Sequence, residues 1–339
     1  MGVFSKIGRV ITVLMPEGLV AKLHPDRPTY RGAMIDPKAY AVGRLVEVMR
    51  PPGGVPDVEE GREMLRDVGK KFDLRVPVSR IEDLEIEGAD GPLKARLYAD
   101  SSGANQPAMV YFHGGGFVQG DIESHHHTCA KLAKWSGYTI ISVDYRLAPE
   151  HPFPAAPEDC VAAFLSIIER AEALGIDPAN TGVGGDSAGG CLAAVVAQQL
   201  AAKGGAKAAF QVLIYPVVDG NLATPSVADM PGDAVLPTEV LDFFLSSYLG
   251  SWANKNDPRF SPIFGTGFVD LPEAYILTGG FDPLVDDGKA YADKLEAAGV
   301  AVTRKFYPGQ IHGFISLSKV IPQGAEALHG IADWLKSRK

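Results

Sequence analysis

From about residue 81 the chain alternates short apolar runs with longer stretches whose apolar positions recur at helical spacing. The segments "LEIEG" (84–88) and "ARLYA" (95–99) alternate apolar and polar positions and meet at Gly91-Pro92, which reads as two strands joined by a turn. "AMVYF" (108–112) is apolar throughout, the pattern of a strand covered on both faces. Further strands are expected at "YTIISVD" (138–144), "TGVGG" (181–185), "AAFQVLIY" (208–215), "EAYILTG" (273–279) and "VTRKFY" (302–307). Helices are expected between and after them at 157–170, 188–202, 286–298 and 322–337. This alternation predicts an α/β fold: a mostly parallel sheet of about eight strands with helices on both faces. In such a sheet, chemistry gathers at the carboxyl ends of the strands.

Two segments depart from the pattern. Residues 1–80 carry helical patterns at 7–15, 37–49 and 58–71, interrupted by "RPPGGVP" (50–56), and read as cover rather than core. Residues 219–262 hold loop signals, one expected helix at 238–249 and no strand, as an insertion would. The chain therefore divides into an N-terminal segment (1–80), a first core part (81–218), the insertion (219–262) and a second core part (263–339). It shows no internal repeat and no low-complexity tract.

Composition narrows the function classes. The 339 residues are 46% hydrophobic, enough for one large α/β core with attachments. Lys and Arg total 32 against 41 Asp and Glu, a formal charge of -9, which offers no footprint for nucleic acid or anionic lipid. The three cysteines, Cys129, Cys160 and Cys191, form no C-x-x-C pair and sit in apolar helical stretches, as small core residues do. No apolar run approaches the roughly 20 residues that cross a bilayer. The opening "MGVFSKIGRVITVLMPEGLVAKL" lacks a cleavage site and is broken by Pro16, so a covering amphipathic helix, no stable membrane insertion and a cytoplasmic location are the expectations.

The candidate chemistry begins at "GDSAG" (185–189), a G-x-S-x-G pentapeptide between an expected strand and an expected helix. On such a turn the flanking glycines allow strand and helix to approach closely, and Ser187 projects at a helix N-terminus that favours negative charge. The bare pentapeptide fits equally a glycine-rich helix entry with Ser187 as N-cap. Its companion is "YFHGGGF" (111–117), where a strand runs into His113 and three glycines. Without side chains, Gly114, Gly115 and Gly116 can present backbone N–H groups to an oxyanion, and the N–H of Ala188 can add another. A phosphate-binding loop is disfavoured, because no Lys-Ser/Thr pair follows and G-x-G-x-x-G is absent.

A serine hydroxyl needs a base, and the base needs a carboxylate to orient it. Of eight histidines, His312 in "PGQIHGF" follows the last strand and so lies at the correct edge of the sheet. Asp282 in "TGGFDPLVDD" follows another strand, whereas Asp286 and Asp287 open the next helix and can cap it. The order Ser187, Asp282, His312 is that of α/β-hydrolases. The run "SHHHTC" (124–129) invites a metal reading, but side chains about 100° apart on a helix cannot all face one ion. His125 and Cys129 share a face without an evident carboxylate partner, and no metal or other cofactor is expected.

With these residues the chain resembles the hormone-sensitive-lipase-like family of α/β-hydrolases, the bacterial family IV carboxylesterases, in the subgroup with a GDSAG motif. The resemblance covers roughly residues 80–335 through "HGGGF" (113–117), "DYRLAPEHPFPAAPED" (144–159), "GDSAGG" (185–190), "DPLVDD" (282–287) and "HGF" (312–314). It implies Ser187 as nucleophile, Asp282 as the orienting acid, His312 as general base and acid, and an oxyanion hole at Gly115, Gly116 and Ala188. His113, Gly114 and Asp186 would support these groups. It further implies a helical cap built from residues 1–80 and the insertion, and dimerisation through the last strand in some members. A cofactor-free hydrolase of short to medium acyl-chain esters is the resulting expectation. Acyl transfer or amide hydrolysis would use the same residues, and a ligand receptor on the same fold is the remaining alternative. The proline-rich stretch 144–159 reads as structural, with Glu158 and Asp159 suited to a helix start.

Overall fold

The computed structural model describes residues 3–50, 54–55, 57–101, 103–230 and 236–338. Parts of "RPPGGVP" and of the insertion, residues 51–53, 56 and 231–235, lie outside the described residues. Among the described residues eight strands form one sheet: β1 (Arg80–Gly88), β2 (Gly91–Ala99), β3 (Gln106–Phe112), β4 (Thr139–Val143), β5 (Ile176–Asp186), β6 (Gln211–Ile214), β7 (Ala274–Phe281) and β8 (Val302–Ile311). Their spatial order is β1-β2-β4-β3-β5-β6-β7-β8, and only β2 runs against the others. The expected alternation is thus present. β5 is longer than "TGVGG" suggests, because Ile176 also pairs with Gln106 at the start of β3. The fold is that of the α/β hydrolases.

Helices cover both faces because the central strands are apolar on both sides. Every residue of Ala108–Phe112 and of Thr139–Val143 is buried. One face packs against α6 (Ala155–Glu169), α7 (Ala188–Lys203) and α9 (Val285–Ala297), through side chains such as Phe164, Val195 and Leu295. The other packs against α5 (His126–Ser136) and α10 (Pro322–Ser337), through Leu132, Leu328 and Ile331. Each such fully buried aliphatic or aromatic side chain stabilises by about 1.5–3 kcal/mol relative to an exposed one. Cys129, Cys160 and Cys191 are free and buried in these layers. Burial pushes all three thiols up, which leaves them unreactive.

The N-terminal segment folds as α1 (Val3–Leu14), α2 (Glu17–Leu23), α3 (Pro37–Met49) and α4 (Val58–Phe72), with a two-residue hairpin at Thr29–Tyr30 and Ala33–Met34. The insertion contributes α8 (Thr238–Leu249). Specific polar contacts fasten these pieces down. Lys38 Nζ donates to the carbonyls of Val13 and Met15, closing the C-terminal end of α1 as a cation there should. Arg62 on α4 donates to the carbonyl of Val118 at 2.9 Å and pairs with Glu150. Asp73, just past α4, is buried against Lys131 on α5, with Thr128 and Ser318 completing the cluster.

Two local expectations need correction. Asp159 does not serve a helix start. It is fully buried inside α6 and accepts from Arg146 Nε at 2.8 Å and from the backbone N–H groups of Arg146 and Ala89, so it welds the proline-rich loop to β1. Asp286 and Asp287 lie in the first turn of α9, but their oxygens leave the helix. Asp286 takes a bidentate pair from Arg31 at 2.5 and 2.7 Å, and Asp287 accepts the N–H groups of Val218 and Asp219 where the insertion begins.

The Lys131–Asp73 pair is inaccessible to water, so Lys131→Met should leave a buried carboxylate without its cation and cost about 3–5 kcal/mol in urea unfolding. Lys134→Met on the next turn of α5, whose partner Asp100 is partly exposed, should cost less than about 1 kcal/mol.

Candidate active site

Four strand ends deliver the candidate residues to one edge of the sheet. β5 ends at Asp186, and Ser187 follows with φ 55° and ψ -118°, a conformation an L-residue adopts only when its surroundings enforce it. The enforcement comes from packing. A Cβ at Gly185 or Gly189 would collide with the carbonyl of Phe112, so β5 and α7 meet β3 backbone to backbone, and only glycines fit. Ser187 occupies the N-cap position of α7, yet its side chain makes no capping hydrogen bond. Its Oγ points instead to His312 Nε2, 2.9 Å away.

His312 sits just beyond β8, and its Nδ1 lies 2.7 Å from Asp282 Oδ2, just beyond β7. A carboxylate carries no proton, so Nδ1–H donates to it, and Nε2 is left with its lone pair towards the Ser187 hydroxyl. Asp282 is fully buried, and its other oxygen accepts the N–H of Leu284 at 2.8 Å, which fixes the carboxylate plane. The ring of Tyr215 packs on the imidazole at 4.6 Å. Serine, histidine and aspartate, separated by 125 and 30 residues in sequence, thus form one hydrogen-bonded line. Such a line can draw the proton from a serine hydroxyl as it attacks a carbonyl.

The glycine loop follows β3 and faces the same spot. Gly115 and Gly116 take φ of 123° and 63°, and a Cβ at Gly116 would collide with the Phe244 ring of α8. Gly114 N–H donates to Asp186 Oδ1 at 3.0 Å, and the Tyr111 hydroxyl donates to the same oxygen at 2.7 Å. Asp186 is therefore a buried carboxylate that ties the loop to the serine turn. Burial alone would raise its pKa, but the charge and hydrogen bond of His125 and the Tyr111 hydroxyl outweigh that and hold it below the usual carboxylate range. His113 stacks on Tyr145 at 4.3 Å, its carbonyl accepts the Tyr145 hydroxyl, and burial pushes its pKa down to about 4, which keeps it a neutral brace.

His125 lacks an evident carboxylate in the sequence, and the fold supplies one. Its Nε2 lies 3.3 Å from Asp186, contributed by a strand 61 residues away. Its neighbours go elsewhere: His126 meets the Tyr98 hydroxyl at 3.1 Å, and the His127 ring packs on His126. The three rings diverge as helical spacing requires. Tyr111 and Tyr145 carry no sequence signal for these bonds beyond being polar-tipped aromatics in apolar runs, a pattern that implies a buried hydroxyl in search of a partner.

Gly114–Phe117, Ser187, Ala188 and His312 all line one cavity of about 360 Å³. Most of its remaining wall is apolar and comes from the two segments outside the core, through side chains such as Val42, Leu45, Met64 and Val68 from α3 and α4, and Leu241 and Phe244 from α8, with Leu284, Leu317 and Val320 added by the core. Among the described residues no helix is long and apolar enough to cross a membrane.

Residues 109–316 match a family model described as the alpha/beta hydrolase fold. The chain is 39% identical to an esterase, LipI, of Mycobacterium tuberculosis over 80% of this chain and 85% of that one. It is 40% identical to an ethyl acetate hydrolase of Pseudomonas putida over 76% and 82%. Among solved structures, an ester hydrolase from the metagenome of Lake Arreo, complexed with a bipyridine phosphonate derivative, superposes with a TM-score of 0.85 at 38% identity, covering 90% of this chain and 99% of that one. An esterase of Pyrobaculum calidifontis superposes with a TM-score of 0.80 at 37% identity, covering 88% and 97%.

Because backbone atoms of β3 fill the space beside Gly189, Gly189→Ala should lower stability by about 1–3 kcal/mol or more in thermal unfolding. Gly18→Ala in α2, where nothing lies within 4 Å of the added methyl, should be neutral or stabilising by up to about 1 kcal/mol.

Proposed function

The chain belongs to the alpha/beta hydrolase fold family, in its hormone-sensitive-lipase-like branch, and on that premise we propose that it is a carboxylesterase working through Ser187, His312 and Asp282. The observation that carries the reading is the continuous line Ser187 Oγ, His312 Nε2, His312 Nδ1, Asp282 Oδ2, with contacts of 2.9 and 2.7 Å, opening into the apolar cavity. The names of the four relatives given above, two esterases, an ethyl acetate hydrolase and an ester hydrolase, support the same reaction class.

Ser187 attacks the ester carbonyl while His312 Nε2 takes its proton. Asp282 keeps Nδ1 protonated and stabilises the imidazolium that forms. The oxygen of the carbonyl becomes an alkoxide in the tetrahedral intermediate, and the N–H groups of Gly115, Gly116 and Ala188 receive it. His312 then gives its proton to the leaving alcohol, the acyl-serine remains, and a water activated by the same imidazole releases the acid. No step calls for a metal or an organic cofactor. The apolar wall accepts a hydrocarbon substituent, and its limited volume favours short to medium acyl chains.

Purified Ser187→Ala should lose about 10⁴- to 10⁶-fold in kcat on p-nitrophenyl butyrate at unchanged thermal stability. Retention of the parent rate would overturn the reading. A series of esters from acetate to palmitate should peak below laurate; a maximum at laurate or beyond would make the protein a lipase of long chains instead.

A further inference from the structure

The histidine beside Asp186 has a polar partner at each ring nitrogen. Nε2 faces the carboxylate of Asp186 at 3.3 Å, and a carboxylate can only accept. Nδ1 lies 2.9 Å from the Ser124 hydroxyl. That hydroxyl receives the N–H of Asp121 at 2.9 Å and lies 2.8 Å from the Asp121 carbonyl; with its single proton on that carbonyl, it offers His125 only a lone pair. In that arrangement both ring nitrogens donate, which defines an imidazolium. The residue is buried, 3% exposed, and lies among the residues that line the active-site cavity.

Resting on the esterase reading, we propose that His125 is a positioning residue whose imidazolium electrically cancels the carboxylate next to Ser187. Asp186 is held below the usual carboxylate range, and its Oδ1 accepts both the Gly114 N–H and the Tyr111 hydroxyl. A bare carboxylate at that point would repel the oxyanion that forms on the other side of the same loop. The imidazolium removes the repulsion without loosening the loop, so the field at the oxyanion stays positive as charge develops there. The effect belongs to the transition state, in which the oxyanion exists, and leaves binding of the neutral ester unchanged.

The surroundings favour the charged form. Burial works against it, but Asp186 outweighs burial and raises the His125 pKa, with smaller contributions from Asp121 and Asp73. Asp121 pairs with Arg66 and Asp73 with Lys131. His113, whose ring lies 5.6 Å away, is neutral, and Tyr111 lies at 6.4 Å. A raised pKa means the charge is complete below the ordinary histidine pKa and is lost as pH rises through the raised value. The enzyme therefore loses kcat on the alkaline side when His125 deprotonates.

Two measurements test this on the full chain. In a spectrum of protein labelled with ¹⁵N-histidine at about pH 7.5, roughly one unit above the ordinary histidine pKa, one ring should show both nitrogens at imidazolium shifts, and that signal should vanish in His125→Gln. Glutamine keeps an N–H donor for Asp186 and removes the charge. His125→Gln should lower kcat on p-nitrophenyl butyrate by about 10- to 100-fold with KM unchanged. It should weaken a trifluoromethyl ketone inhibitor, which forms an oxyanion, in parallel, and abolish the alkaline loss of kcat. A parent spectrum with no cationic ring, or a variant with the parent's kcat and alkaline limb, would overturn the proposal. The spectrum of the parent decides the charge even where the variant unfolds. It is also independent of hydrolysis, so a failure of the esterase reading, seen as an active Ser187→Ala, is distinguishable from a failure here.

Discussion

The arrangement hangs on one buried carboxylate. Asp186 stands at the end of β5, one residue before the serine, and fixes the glycine loop at the end of β3 by accepting Gly114 N–H. Burying a charge there is costly unless it is fully solvated by the protein, and Tyr111, Gly114 and His125 do that work. Because those donors come from β3, the glycine loop and the residue that opens α5, the spatial relation between the serine and the loop amides follows from satisfying a single group. The strained backbone of Ser187 persists for the same reason. The turn cannot relax without breaking the glycine contacts between β3 and α7 and the bonds to Asp186.

Parallel topology does the rest of the placement. β3, β5, β7 and β8 run in the same direction, so their carboxyl ends share one edge, and the loops after them carry the glycines, Ser187, Asp282 and His312. This part of the molecule was legible in the sequence. A strand covered on both faces writes itself as an apolar run, and a residue directly after such a run has a known address. The eight strands and the line from Ser187 to Asp282 needed no other signal.

What the sequence hid was the partner of each buried charge. Asp159 looked like a helix-start acid, and Asp287 likewise, since local charge near a helix N-terminus is the only feature a linear reading can see. Their real partners, Arg146 with Ala89 N–H in one case and the N–H groups of Val218 and Asp219 in the other, include atoms some 70 residues away in the chain. His125 was opaque for the same reason, since Asp186 reaches it only through the order of strands in the sheet. The cavity wall was unreadable on different grounds. The helices that build it turn apolar side chains towards a void rather than a core, and periodicity does not distinguish the two.

On the esterase reading proposed above, that difference separates the parts of the molecule that make bonds from those that choose substrates. Ser187, Asp282 and His312 lie at strand ends whose positions are set by backbone hydrogen bonds and by buried charges without slack. Much of the wall lies on α3, α4 and α8, which are joined to the core by contacts such as Arg62 to Val118, Arg66 to Asp121 and the Phe153 N–H to the carbonyl of Tyr248. Side chains such as Met64 or Leu241 can change size without touching the sheet, so the volume open to the acyl group can vary while the distance from Ser187 to His312 does not. Phe244 is the exception. Its ring rests directly on Gly116, so the wall reaches the glycine loop at this point, and a change there alters the shape of the pocket and the seat of the loop together.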